Sequence, residues 1–221
     1  KCRREAYDNQ SLLLELEALG ATLHMGAGYL DDLTQDVIFR SPGIRPDIPA
    51  FEQAKANGAV ITSEMEVFFH VCPCKTIAVT GSDGKTTTTT IIAKLLEAAG
   101  YHVHLGGNIG RPLLPDIESI QPDDLAVLEL SSFQLMTMDT SADIAVVTNL
   151  APNHLDVHKG MEEYIAAKKN IFLYQNAQQK VVLNRDNDIT HSFVPEAKGQ
   201  VTLFSRQNPL DEGVVLEDGI I

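Results

Sequence analysis

The heptapeptide Gly81-Ser82-Asp83-Gly84-Lys85-Thr86-Thr87 follows directly on the apolar run Thr76-Ile77-Ala78-Val79-Thr80 and leads into a helical pattern. These residue types suit an anion. Gly81 and Gly84 let the backbone turn tightly and bring its N–H groups close to a phosphate. A helix that starts here adds free N–H donors and the positive end of its dipole. Lys85 supplies a full charge for the outer phosphates, and Thr86 a hydroxyl of the kind that holds Mg²⁺. Ser82, Asp83 and Thr87 complete the candidate loop. The full phosphate-loop pattern G-x-x-x-x-G-K-[ST] needs a glycine where Val79 stands, so this is a shorter G-x-x-G-K-T form. A plain strand-to-helix connector is the alternative.

Further polar residues stand at the ends of apolar runs, where open α/β sheets bind their ligands. Glu129 closes Leu125–Leu128, and a carboxylate there is costly unless a cation meets it. Asn149 closes Ile144–Thr148, and Asn153-His154-Leu155-Asp156 follows. His154 is a candidate metal ligand, with His158 its competitor; an ordinary loop histidine is the alternative. In a helix expected from Met161 to Leu173, about 100° per residue puts Lys168 within roughly 20° of Met161, in the apolar stripe with Tyr164 and Ile165. An ammonium there must snorkel, pair or lose its proton. As a free amine it could take up CO₂ and become a carbamate, an anionic oxygen ligand; snorkelling is the reading from pattern alone.

The elements that must hold these groups alternate along the chain. Helices are expected over Leu12–Leu19, Pro49–Asn57, Ser63–Phe69 (with Ser63 and Glu66 in capping-box spacing) and Thr86–Ala99. Strands are expected at Ala21–Met25, Val37–Arg40, Val60–Thr62, Thr76–Thr80, Val103–Leu105, Leu125–Leu130, Ile144–Thr148, Val181–Leu183 and Val201–Phe204, with a hairpin turn at Glu217–Ile220. Most lack polar alternation, which suits a parallel sheet covered on both faces. His102 and His104 alternate on a strand as surface groups. The fold class is therefore α/β. Two domains are expected, 1–71 and 75–221, with a linker at Cys72-Pro73-Cys74-Lys75 between them and a mostly parallel sheet in the second.

The chain has 221 residues, 44% of them hydrophobic, enough to bury a core. Its net charge of −13 argues against attraction to nucleic acid, so an anionic small molecule must be met by local groups such as Lys85. No apolar run reaches the ~18 residues of a membrane span, and no signal core follows the N-terminus. Three cysteines without a second Cys/His pair at zinc spacing read as free thiols in a reducing, cytoplasmic compartment.

Together, Thr80–Thr87, Gly106-Gly107-Asn108-Ile109-Gly110, Leu128–Leu135, Ser41-Pro42-Gly43-Ile44, Asn153–Asp156 and Tyr164–Lys168 resemble the Mur ligases, ATP-dependent amide-forming enzymes of peptidoglycan synthesis. The segments around Asn108 and Glu129 are similar to the members that add D-glutamate. The resemblance implies a partial Rossmann-like N-terminal domain (1–71) for the uridine nucleotide and a P-loop-type central ATPase domain (75–221) with a mostly parallel sheet, where ATP phosphorylates the carboxylate of UDP-N-acetylmuramoyl-L-alanine and the D-glutamate amine attacks the acyl phosphate. It implies Lys85 and the loop amides on the phosphates, Thr86 and Glu129 on one Mg²⁺, and His154 with a carbamylated Lys168 on a second. Asn108, Ser131 and Gln134 would contact the muramoyl substrate, and Ser41 its uridine end. Asn153 stands where the family usually has Asp, and Val157 where Arg is common. The resemblance further implies an opening glycine loop and a C-terminal D-glutamate-binding domain that the chain lacks, so it is expected to be a fragment, inactive alone. The competing readings are another P-loop phosphotransferase or NTPase, which needs neither the Gly106–Gly110 nor the Glu129–Gln134 segment, and a non-catalytic nucleotide-binding module.

Overall fold

The structure, a computed structural model, describes residues 10–152 and 157–216. It divides into two compact units, one of residues 1–38 and 46–61, the other of 39–45 and 62–221. In the smaller unit lie helix α1 (Gln10–Ala18), with no buried residue, and helix α2 (Pro49–Ala56), which buries Phe51 and Ala54. Strands β1 (Val37–Phe39) and β2 (Val60–Thr62) pair in a two-stranded sheet. The strand expected at Ala21–Met25 does not form: the segment has no ladder partner among the described residues.

The larger unit is built on strands β3 (Lys75–Thr80), β4 (Val103–Gly107), β5 (Leu125–Glu129), β6 (Ile144–Val147), β7 (Lys180–Asn184), β8 (Gln200–Ser205) and β9 (Val214–Val215). They lie in the order β4-β5-β3-β6-β7-β8-β9, and every pairing is parallel. This bears out the expected α/β class and parallel sheet. Helix α4 (Lys85–Ala98) covers one face, where Ile77 and Val127 meet Ala93, Ile92 and Leu96. The other face carries the main core. There Ala78, Ala126, Leu128, Ala145 and Val147 pack with Met65, Phe68 and Phe69 of helix α3 (Glu64–Val71), and with Tyr164, Ile171 and Phe172 in and after helix α6 (Met161–Lys169). Apolar side chains on both faces are what a buried parallel sheet requires.

Helix α3, placed by sequence before the domain boundary, thus packs into the core of the larger unit. Its N-cap is Ser63, whose side chain accepts from the Glu66 N–H at 3.3 Å. Helix α6 stops at Lys169, short of the expected Leu173, because Asn170 is taken up elsewhere. The Asn170 amide donates to the Leu135 carbonyl at 2.9 Å, and its own carbonyl accepts from Ser141 Oγ at 2.7 Å. Helices α5 (Ser132–Leu135) and α7 (Asp188–His191) are single turns. The hairpin turn expected at 217–220 lies outside the described residues. Cys72 and Cys74 are free thiols, as expected. No helix of the described residues is long and apolar enough to cross a membrane.

Candidate functional site

Parallel order brings the carboxyl ends of β3, β4, β5 and β6 to one edge, and Lys85, Thr86, Asn108, Glu129 and Lys168 meet there. Gly81 has φ +152°, and a Cβ on it would sit 1.9 Å from Thr148 Oγ1 and 3.1 Å from the Asn149 carbonyl. Only glycine lets the loop lie this close to β6. Gly84 caps helix α4 in the left-handed region, φ +77°. The first helical bond beyond it runs from the Thr88 N–H to the Gly84 carbonyl, so the amides of Lys85, Thr86 and Thr87 have no acceptor within the helix.

The loop is held from behind by Thr148, Asn149 and Ala151. The Ser82 N–H donates to the Asn149 carbonyl (2.8 Å), and Ser82 Oγ accepts from the Ala151 N–H (2.9 Å). Thr148 Oγ1 and Asn149 Nδ2 both donate to the Asp83 carbonyl, at 2.7 and 3.1 Å, while the Asp83 N–H donates to Asn149 Oδ1. Asn149, noted only as a strand-end residue, is a brace of the loop. Lys85 folds back so that Nζ donates to the Ser82 carbonyl at 2.9 Å.

Glu129 is buried at the end of β5, 2% exposed. One carboxylate oxygen accepts from Thr86 Oγ1 at 2.6 Å and the other from Asn108 Nδ2 at 2.7 Å. Asn108 is brought in by Gly107, φ +93°, where a Cβ would lie 2.2 Å from the Glu129 carbonyl. A hydroxyl and a carboxylate oxygen beside a phosphate loop are hard oxygen donors, the set Mg²⁺ prefers. The donors present fit one such ion, held by Thr86 and Glu129.

Lys168 does not snorkel, and among the described residues it donates to no carboxylate. It is 2% exposed, and Nζ donates to Thr80 Oγ1 (2.8 Å) and to the Gly81 carbonyl (2.9 Å). Thr80 Oγ1 in turn donates to the Leu130 carbonyl at 2.6 Å, and the Tyr164 ring lies 5.3 Å from Nζ. Burial, helped by the Lys85 charge and opposed by the Glu129 carboxylate, pulls this ammonium down to about 7. Near neutral pH a large share of Lys168 is therefore free amine, a nucleophile next to the phosphate loop.

Ser131 and Gln134 are occupied with each other. They form the capping box of α5: Ser131 Oγ accepts from the Gln134 N–H, and Gln134 Oε1 accepts from the Ser131 N–H at 3.0 Å. Ser41 is exposed on a turn anchored by Arg40, a residue that sequence reasoning missed. Buried Arg40 donates to the Ile44 carbonyl (2.7 Å) and to Thr137 Oγ1 (3.0 Å), tying the Ser41–Ile44 turn to the segment after Glu129. Arg45 was missed too; its guanidinium forks onto Glu163 and also donates to the Val157 carbonyl at 2.7 Å. Nothing in the local pattern marks either arginine, because their partners are about a hundred residues away in sequence. His154, with Asn153 and Asp156, lies outside the described residues. Its competitor His158 is buried, with Nε2 2.8 Å from Ser132 Oγ and its ring stacked on Phe133.

A phosphate loop, a buried glutamate on its threonine and a buried lysine beneath it are the setting in which comparison with known proteins becomes decisive. Residues 79–215 match the family pattern described as the Mur ligase middle domain. The chain belongs to the Mur ligase family. It is 56% identical over 213 residues to a UDP-N-acetylmuramoylalanine–D-glutamate ligase of Acetivibrio thermocellus, covering 96% of this chain and 46% of that protein. A ligase of the same name from Ruminiclostridium cellulolyticum is 55% identical over 208 residues, covering 94% and 45%. The chain thus spans about 46% of the length of these Mur ligase relatives. Among solved structures it is similar in fold to a UDP-N-acetylmuramate:L-alanyl-gamma-D-glutamyl-meso-diaminopimelate ligase from Neisseria meningitides, with TM-score 0.57 at 18% identity over 90% of this chain and 70% of that one. A UDP-N-acetylmuramoyl-L-alanyl-D-glutamate–2,6-diaminopimelate ligase gives TM-score 0.55 at 24% identity over 76% of this chain and 44% of that one.

Proposed function

We propose that this chain is the nucleotide-activating part of an ATP-dependent amide ligase of peptidoglycan synthesis, one that joins D-glutamate to UDP-N-acetylmuramoyl-L-alanine in the cytoplasm. In this reading the larger unit, residues 39–45 and 62–221, binds Mg-ATP, the smaller unit belongs to the domain that holds the uridine nucleotide, and a separate domain supplies the D-glutamate site. The relatives at 56% and 55% identity bear the D-glutamate ligase name. The observation that carries the chemistry is the constellation of Lys85, Thr86, Glu129 and Lys168 around one loop.

Each group has a distinct task. Lys85 leaves the Ser82 carbonyl and turns its ammonium to the outer phosphates, while the amides of Lys85, Thr86 and Thr87 take the oxygens nearest the helix. Gly81, Ser82, Asp83 and Gly84 provide the close backbone surface. Asn108 orients the Glu129 carboxylate and, with Ser131 and Gln134, faces the muramoyl substrate; Ser41 serves its uridine end. Mg²⁺, held by Thr86 and Glu129, would offset the repulsion between carboxylate and triphosphate. The acceptor carboxylate then takes the terminal phosphoryl group, and attack by the D-glutamate amine on the acyl phosphate expels phosphate. Exclusion of water protects that intermediate from hydrolysis.

Lys168 is the second feature. Its free amine attacks the carbon of CO₂ and releases a proton to solvent, which converts a buried neutral amine into a carbamate anion. Together with His154, that anion would hold a second Mg²⁺. The test is made on the full-length ligase that contains this chain. Phosphate release is expected to require both UDP-N-acetylmuramoyl-L-alanine and D-glutamate, to vanish in Lys85→Ala, and to be partly restored in Lys168→Ala by short carboxylic acids. Phosphate release independent of D-glutamate would instead favour a simple nucleotide hydrolase.

A further inference from the structure

We propose that His102, His104 and Asp124 form a binding site for a borderline divalent metal ion such as Zn²⁺, at the end of the sheet opposite the phosphate loop. One ligand atom from each residue lies within 4.8 Å of the others. The site is independent of the nucleotide reading above. Its place follows from strand register. β4 and β5 run parallel, with His104 opposite Ala126, and the Leu125 N–H donates to the His102 carbonyl at 3.0 Å. His102 and His104 are two apart and so share a face, which Asp124 joins from the start of the neighbouring strand. His102 and Gly107 are five residues apart along a strand, roughly 16 Å. The cluster is therefore well removed from Thr86 and Glu129.

The donor set and its spacing suit a metal. Asp124 Oδ2 is 2.8 Å from His104 Nε2, and Oδ1 is 3.2 Å from His102 Nδ1. Bonds of about 2.0–2.1 Å in a tetrahedral zinc site separate neighbouring ligand atoms by about 3.3 Å, close to both separations between Asp124 and the histidines. The carboxylate is already held in position: Oδ2 also accepts from the Gln121 N–H at 2.9 Å. Such outer contacts orient metal ligands. The rings meet edge to face at 4.6 Å, which leaves both nitrogens turned to one carboxylate. His102 is 70% exposed in its side chain, so the outer coordination position opens to water. Two imidazoles and one carboxylate favour Zn²⁺, Co²⁺, Ni²⁺ or Cu²⁺ over Mg²⁺. The bland alternative, two histidines hydrogen-bonded to an aspartate, predicts no specific uptake.

The experiment titrates the chelator-stripped chain with Zn²⁺, and separately with Co²⁺, in excess Mg²⁺. Calorimetry gives stoichiometry, and the Co²⁺ absorption spectrum gives the ligand type. One equivalent is expected, with visible Co²⁺ bands and no sulfur-to-metal charge-transfer band. His102→Gln, an exposed change that spares the fold, is expected to weaken binding about tenfold or more; Glu129→Gln is not. Binding unchanged in His102→Gln, a thiolate band placing the ion on Cys72 and Cys74, or loss of binding in Glu129→Gln alone would each overturn the proposal.

Discussion

Replacing Lys168 by Met tests whether a buried amine sits under the phosphate loop. The side chain is 2% exposed, and its two acceptors are Thr80 Oγ1 and the Gly81 carbonyl. In the unfolded chain the ammonium titrates near 10.5, and in the fold near 7. Between these values the unfolded state binds a proton that the folded state has released, so stability from this group rises with pH. The cost of the folded amine is greatest below pH 7 and disappears above 10.5. Linkage puts the gain between pH 7.5 and 9.5 at about 2.5 kcal/mol. Methionine has no such proton.

The assay is urea unfolding of both proteins at several pH values in that window, with chelator and in CO₂-free buffer so that neither metal nor carbamate contributes. The free-energy difference, wild type minus Lys168→Met, is expected to climb by that amount. Other groups cancel in the difference: Cys74, for example, is pushed by burial up to about 12, and so weakens the fold of both proteins as pH passes 9. A flat or falling difference would show that Lys168 stays charged in the fold, and the carbamate chemistry would lose its nucleophile.

Further outcomes test the loop and its surroundings. Gly81→Ala places a Cβ 1.9 Å from Thr148 Oγ1 and against Asn149 backbone; it should cost about 1–3 kcal/mol in denaturant unfolding and weaken ATP binding. Gly84→Ala meets nothing within 4 Å and carries only the φ penalty, about 1–2 kcal/mol; equal and negligible effects at both positions would refute the close approach to β6. Glu163 is held at about 2, chiefly by Arg45. Its contribution is full above its ordinary value near 4.5 and is lost as pH falls toward 2, so acid unfolding curves of Glu163→Gln should be shallower than wild type. Parallel curves would remove the Arg45–Glu163 pair from the account.

Much of the site was legible because its signals are local. The phosphate loop is contiguous, its two glycines have backbone reasons, and an apolar run ending in Glu129 points to the carboxyl edge of a parallel sheet. The all-parallel sheet also follows from runs without polar alternation. Errors fall where the deciding partner is distant or missing. Ala21–Met25 has strand-like composition but no neighbour to complete a ladder. His104 reads as a surface residue until β5 brings Asp124 beside it. The Ser131–Gln134 capping box went unread, although their spacing, three residues apart, contains it.

From the sequence alone came the chemical inventory and its order: a loop for phosphate, a carboxylate and a hydroxyl for a hard cation, and a lysine in an apolar helical stripe. Helical periodicity places Lys168 on that stripe but leaves its state open between a snorkelled cation and a buried amine. That choice belongs to the tertiary structure. β3 and α6 enclose the side chain with hydroxyl and carbonyl acceptors and, among the described residues, no hydrogen-bonded carboxylate, and burial without a paired anion favours the neutral form. Charge state depends on the dielectric and on neighbours from distant segments, which only the folded chain assembles.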